Sequence, residues 1–190
     1  MYVTETIIDS LSELYGVPQR AELTFPVSRD EYDRIRASQK NGRQHDFTLY
    51  IVKDHRIVVI AKHFYPPGLY RAPSGGAQPG EEILDAIHRE VMEETGCYIK
   101  LEKFLLRTKV VFTCSPYEIA WNSFVLQAAY ISGDFKFTDH REIREVRLAE
   151  PVDFQQFSAI MRKSNIGGLH YRAALHDRVK ILMKLQPTSW

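Results

Sequence analysis

Between Glu81 and Thr95 the apolar residues Ile83, Leu84, Ile87 and Val91 recur at the spacing of one helical face, and Gly96 follows. The pattern predicts a helix over 81–95 with an apolar stripe turned to a core and a glycine that ends it. A second stripe, Ile7, Ile8, Leu11, Leu14 and Tyr15, predicts a shorter helix over 4–15 stopped by Gly16. Ser28 followed by Glu31 forms a capping box, opening a helix that runs to about Gln39. Strands are expected where β-branched and aromatic residues gather, over 21–27, 46–53 and 56–63. The last two are separated by Asp54-His55, the length of a hairpin turn without its preferred glycine. Longer runs over 103–114 and 119–131 lack clear alternation, as strands of a sheet covered on both faces do. A short strand over 143–148 and two helices, 152–163 and 169–185, complete the chain.

These elements predict an α/β protein. At 190 residues the chain is long enough for one core. The main sheet is expected to begin at Asp46. Residues 1–45 then form an N-terminal α-β-α appendage that is not an independent domain, and 46–190 form the principal domain with its C-terminal helices.

Composition narrows the partners. With 44% hydrophobic and 26% charged residues the chain is neither disordered nor fibrous, and a net charge of +1 argues against a general polyanion binder. Six basic and seven acidic residues in the first 45 exclude a nucleic-acid arm. From Pro151 onward there are six basic and two acidic residues, read as a terminal helix pair with snorkelling lysines and arginines rather than a DNA reader. Cys97 and Cys114 lack disulfide or metal-ligand spacing and are read as thiols in a reducing compartment. The amino terminus has no basic stretch followed by an apolar run, and the apolar run Ile57–Ala61 is too short to cross a bilayer. A cytoplasmic protein without membrane or nucleic-acid partners is expected.

The candidate chemistry lies on the 81–95 helix. Glu90 and Glu94 stand seven and eleven residues after Ile83, beside the apolar stripe, and Glu93 joins them. Like charges three and four residues apart cost about 0.2 to 0.5 kcal/mol per pair on a bare helix. Arg89 can pair with Glu93, but one guanidinium cannot neutralise three carboxylates. Crowded hard oxygen donors suit Mg²⁺ or Mn²⁺; a solvated acidic face is the alternative. Ahead of the helix, glycines at 75, 76 and 80 let backbone approach a ligand closely.

The stretch Gly75 to Cys97 resembles the Nudix box, G-x(5)-E-x(7)-R-E-U-x-E-E-x-G-U, where U is a bulky aliphatic residue. Gly75, Glu81, Arg89, Glu90, Val91, Glu93, Glu94 and Gly96 match it, and only Cys97 departs. The resemblance implies the Nudix fold, a mixed β-sheet sandwiched between α-helices, over about residues 46–163. It also implies metal-dependent hydrolysis of a nucleoside diphosphate linked to another group: a nucleotide sugar, an ADP-ribose-like compound or a nucleoside triphosphate. Carried over, Glu90, Glu93 and Glu94 would bind Mg²⁺ or Mn²⁺ with a main-chain carbonyl of Ser74 or Gly75, while Glu81 and Arg89 hold the cluster. Glu90 and Glu94 are the candidate catalytic carboxylates of the box. Family members differ in the proton acceptor, and here Glu142, with Asp139 in the same loop, is the candidate outside the box. Phe64 and Tyr65 could stack on a base, or simply pack on the core. Arg71 could reach a phosphate, or be solvated. Pro116 and Tyr117 follow Cys97 by 19 and 20 residues, which fits neither the ADP-ribose nor the dinucleoside-polyphosphate spacing. Two rivals remain: a nucleotide-sensing regulator that does not cleave its ligand, and an isomerase on the same fold. The complete set of box carboxylates speaks for hydrolysis. The first 45 residues are expected to serve a homodimer or to enclose the substrate.

Overall fold

The computed structural model describes residues 3–184. Five helices, α1 (Glu5–Tyr15), α2 (Arg29–Ser38), α3 (Ile83–Thr95), α4 (Asp153–Lys163) and α5 (Gly167–Leu182), accompany seven strands. The strands are β1 (Gln19–Pro26), β2 (His45–Lys53), β3 (Arg56–Lys62), β4 (Ser74–Gly75), β5 (Cys97–Cys114), β6 (Tyr117–Gly133) and β7 (Ile143–Ala149). They form one sheet in the order β1-β5-β6-β2-β3-β7, with β4 paired to β2. The pairs β1–β5 and β6–β2 are parallel and the others antiparallel.

Helices cover both faces, as the pleat of β2 makes plain. Phe47, Leu49 and Ile51 point to one side and join Ile8 and Leu11 of α1 and Ile83, Ile87 and Val91 of α3. Tyr50 points to the other and joins Phe154 and Phe157 of α4 and Leu175 and Val179 of α5. Alternation in the strand therefore feeds two cores at once. The expected mixed sheet between helices is present.

Three expectations are corrected. The sheet does not begin at Asp46, because β1 lies alongside β5 from Gln19 opposite Leu106 to Pro26 opposite Thr113. Pro26 has no N–H to donate, which an edge strand tolerates. Arg107 of β5 also grips Glu5 of α1 at 2.8 and 2.5 Å, so the first helix is fastened to the same strand. The strand expected from 103 begins at Cys97: buried Cys97, Ile99 and Leu101 alternate with exposed Tyr98, Lys100 and Glu102. The last helix ends at Leu182 rather than 185, and Leu185 lies outside the described residues.

What positions the candidate site is a wedge in the sheet. β2 and β3 pair only at Val52–Ile57 and Lys53–Arg56, around a turn in which Asp54 (φ 49°) and His55 (φ 65°) both take the left-handed conformation of a type I′ hairpin. Beyond those pairs, residues 71–75 enter between the strands. Arg71 exchanges backbone hydrogen bonds with Ile60 of β3 at 2.8 and 3.0 Å, Leu49 N–H donates to the Pro73 carbonyl at 2.9 Å, and Ser74 and Gly75 pair with Thr48 and Phe47. The glycine-rich loop is thus held as part of the sheet.

Candidate active site

Helix α3 meets this wedge at Gly75, where a Cβ would stand 2.2 Å from Cδ of Glu90. A Cβ would displace the Glu90 carboxylate, so glycine is what lets that side chain lie against the loop. At the other end of α3, Gly96 (φ 68°) supplies the left-handed cap, and a Cβ there would meet the backbone of Lys136 at 2.6 Å.

Arg89 is the hub of the acidic face. Its Nε and Nη2 donate to the two oxygens of Glu81 at 2.7 and 2.9 Å, a bidentate pair, and Nη1 donates to Glu90 at 3.0 Å and Glu93 at 3.2 Å. Nη2 also reaches the Gly76 carbonyl at 3.2 Å. Hydrogen bonding to Glu81 is the chief cause that raises the Arg89 pKa. Burial pushes the carboxyl of Glu90 up, against the pull of Arg89 and of the Gly76 N–H. Glu93 is more open, and its carbonyl accepts from the N–H groups of Thr138 and Asp139 at 2.9 and 3.1 Å, clasping that loop to α3.

Glu94 belongs to a different environment. It is only 4% exposed, accepts from Ser74 N–H at 2.8 Å and lies 3.7 Å from Nη2 of Arg71. Burial pushes its carboxyl up to about 7, with Arg71 and Lys62 opposing. Arg71 is not solvated: it is buried and donates to the Tyr65 hydroxyl at 3.0 Å, the Ala72 carbonyl at 2.7 Å and Ser74 Oγ at 2.8 Å. Tyr65 is buried in consequence, its hydroxyl spent on Arg71, whereas Phe64 beside it is 69% exposed with its ring edge-to-face on Tyr65. Glu142 pairs with Lys62, and Asp139 accepts its N–H at 3.2 Å. Burial raises the Glu142 carboxyl, but Lys62 outweighs it, leaving the group below its ordinary value.

These residues surround a cavity of about 490 Å³. Glu90, Glu93, Glu94, Ser74, Gly75, Arg71, Arg89, Asp139 and Glu142 all line it, while Glu81 stands behind Arg89. Among the described residues, no three acidic, histidine or cysteine side chains converge on a point that could hold an ion. Glu90 and Glu93 turn to the guanidinium between them instead.

The cavity also contains residues that pattern reading missed. Arg172 of α5, read from the sequence as one of the snorkelling cations of the terminal helix pair, is half-buried and donates to Asp46 at 2.7 Å, Thr48 Oγ1 at 2.8 Å and Ser74 Oγ at 3.3 Å. Asp46 in turn accepts from Trp121 Nε1 at 3.2 Å and from Ser123, to which Tyr171 donates. A signal was present: Leu169, Arg172, His176 and Val179 share one helical face, so Arg172 and His176 stand in an apolar stripe. On α2, Ile35 and Ser38 reach the same cavity.

Comparison with known proteins agrees with this architecture. The family model described as the NUDIX domain matches residues 42–166. No curated protein matches the chain. Among solved structures, a UDP-X diphosphatase is 18% identical with a TM-score of 0.51, covering 81% of this chain and 70% of its own. A NUDIX hydrolase from Nitrosomonas europaea is 16% identical with a TM-score of 0.52, covering 75% and 70%. A second from the same organism is 19% identical with a TM-score of 0.50, covering 76% and 97%. At such identities the likeness is one of fold. The matched domain spans most of the sheet, the wedge and the whole of α3, and the chain belongs to the Nudix hydrolase family.

Proposed function

We propose that the chain is a pyrophosphohydrolase that cleaves the diphosphate linkage of a nucleoside diphosphate joined to a second group, such as a nucleotide sugar or an ADP-ribose-like compound; a nucleoside triphosphate is the third form of the same chemistry. The observation that carries this reading is a cavity in which six arginines and lysines stand with six aspartates and glutamates, Glu94 buried in its wall. A diphosphate repels an attacking anion, so a site that cleaves it must first hold and neutralise its oxygens. Lys62, Arg71 and Arg172 supply that charge, Arg71 held in place by Tyr65.

The chemistry of the carboxylate donors, though not their present arrangement around Arg89, suits a divalent cation. Glu90 and Glu94 are pushed up by burial, a penalty that a hard cation offsets while it accepts their oxygens. Glu90, Glu93 and Glu94, with a carbonyl of Ser74 or Gly75, would hold Mg²⁺ or Mn²⁺, which when bound neutralises phosphate oxygens and lowers the pKa of a water. Glu81 and Arg89 keep α3 against the loop. Glu142 faces the cavity as a carboxylate held below its ordinary value, hence ionised near neutral pH, and is the proposed proton acceptor. Phe64 is the proposed stacking surface for a base.

No helix among the described residues is long and apolar enough to cross a membrane; the location proposed is the cytoplasm. The first 45 residues take the enclosing role in this reading, through α2. A homodimer on the outer edge of β1 is the assembly proposed, tested by a solution mass of twice 22.1 kDa.

The direct test is a panel of nucleotides, UDP-sugars among them because a UDP-X diphosphatase shares the fold, assayed for nucleoside monophosphate and phosphate release with Mg²⁺ and with Mn²⁺. Turnover of a diphosphate-linked nucleotide that stops in excess chelator is expected. Full turnover in chelator, or none with any compound, sinks the reading.

A further inference from the structure

The cavity at Glu94 borders a second one of about 620 Å³. The two share Ile35, Lys62, Arg71, Gly168 and Arg172, so three cations stand where they meet. Beyond that junction the character of the wall changes. Ile35 of α2, Phe64, Tyr65, Ile166 and Leu169 line the second cavity, and Arg34 and Glu31 are its further charged residues. Glu31 is already engaged, since its oxygens accept from Gly168 N–H at 3.1 Å and Ser28 N–H at 3.1 Å. That contact joins α2 to the start of α5 and so makes the wall in advance of any ligand. At the lip stands Phe64, a large ring 69% exposed and braced edge-to-face by Tyr65 at 4.9 Å. Exposure of such a ring beside a cavity leaves apolar surface in water that a flat ligand would cover.

We propose that this second cavity is the subsite for the nucleobase: the diphosphate lies across Lys62, Arg71 and Arg172, and the base enters between Phe64, Ile35 and Leu169. This rests on the hydrolase reading of the first cavity and deepens it. The chemistry selects the ligand, because a cationic junction leading into an apolar, aromatic chamber matches an anionic diphosphate joined to an uncharged planar group. A second charged group would find its carboxylate and guanidinium partners on the other side, at Asp46, Arg89 and Arg141, rather than here. Two of the three walls, α2 and the start of α5, lie outside the matched domain of residues 42–166 except for Ile166 at its last position. The chamber thus joins Phe64 and Tyr65 of the matched domain to segments outside it.

The test compares one nucleoside diphosphate sugar with the same compound carrying ribose in place of the nucleoside, in the full chain with Mg²⁺. Two variants bear on it. Phe64→Ala removes the stacking ring. Gly168→Leu fills the chamber, at a position where a Cβ meets only Glu31 Oε1 at 3.7 Å and helix geometry is unstrained. Wild type should favour the nucleotide in kcat/KM by at least about tenfold, the scale of one base stacked on an aromatic ring, and both variants should lower that ratio about tenfold. Circular dichroism and melting of each variant report whether it folds, and either folded variant alone decides the matter. A ratio unchanged within twofold in the folded variants, or a wild type that hydrolyses both compounds equally, overturns the subsite and leaves the hydrolase reading standing. A wild type that hydrolyses neither overturns the hydrolase reading, and the subsite falls with it.

Discussion

On one side of the cavity Arg89 gathers three carboxylates from its own stretch of sequence, whereas on the other Arg172 meets Asp46 across 126 residues of chain. The two guanidiniums make similar sets of hydrogen bonds and differ in surroundings. The Arg89 side chain is 26% exposed and its partner Glu93 45%, while Arg172 and Asp46 are 18% and 10% exposed. Solvent screens the first cluster, so its charges can be rearranged by an ion or a substrate at modest cost. The second is less exposed and is tied to β2 and β6 at the cavity wall, where an unpaired charge has fewer waters to turn to. One side is built to exchange partners and the other to hold its shape.

The sharpest way to break this contrast is to remove each guanidinium in turn. Arg172→Ala leaves Asp46 with its Trp121 and Ser123 donors but no countercharge, and is expected to cost about 3 kcal/mol of unfolding free energy. Arg89→Ala is expected to cost about 1 kcal/mol. Urea denaturation of the two variants decides it, and equal costs would show that burial is not what separates them.

Next in size is Glu94→Gln. The amide keeps an acceptor for Ser74 N–H, and burial already disfavours the charge, with the carboxyl near 7. Turnover should fall about a hundredfold with the melting temperature within a few degrees of wild type. An unchanged rate refutes a role for Glu94 in the chemistry.

Glu142→Gln probes the loop clasped to Glu93. Losing a general base should lower kcat at least about tenfold, and Asp139→Asn should do less. Should kcat survive, the proton acceptor is to be sought among the carboxylates of α3.

A last prediction concerns pH on the Arg172 side. Burial, then the charge of Arg172, holds the imidazole of His176 down to about 3 from an ordinary 6.5, beside the rings of Phe154 and Tyr50. Above pH 6.5 both folded and unfolded chains keep it neutral. Below 6.5 the unfolded chain takes up a proton that the folded chain refuses until about pH 3, so stability declines across that window by up to about 1.4 kcal/mol per pH unit. His176→Leu should flatten the fall between pH 6.5 and 5 in denaturation curves. An identical slope in the variant would mean that other groups carry the acid sensitivity.

Periodicity, caps and motif spacing are local, and what they govern can be read along the chain. The stripe Ile83–Ile87–Val91, the Ser28–Glu31 box, the Asp54-His55 hairpin and the run of matched residues from Gly75 to Gly96 each bring together groups within a few turns or one loop. Hydrogen bonds and side chains that near in the chain constrain one another whatever the rest does. The tertiary structure alone decided that β1 runs beside β5, that residues 71–75 wedge between β2 and β3, and that Arg172 enters the cavity to face Asp46. Each of these is a pairing of distant segments, whose partner is set by which edges and charges remain unsatisfied after local elements form. Arg172 is the clearest case: it shares a helical face with Leu169, His176 and Val179, and only the strand packed opposite supplies the carboxylate that lets a guanidinium stay there.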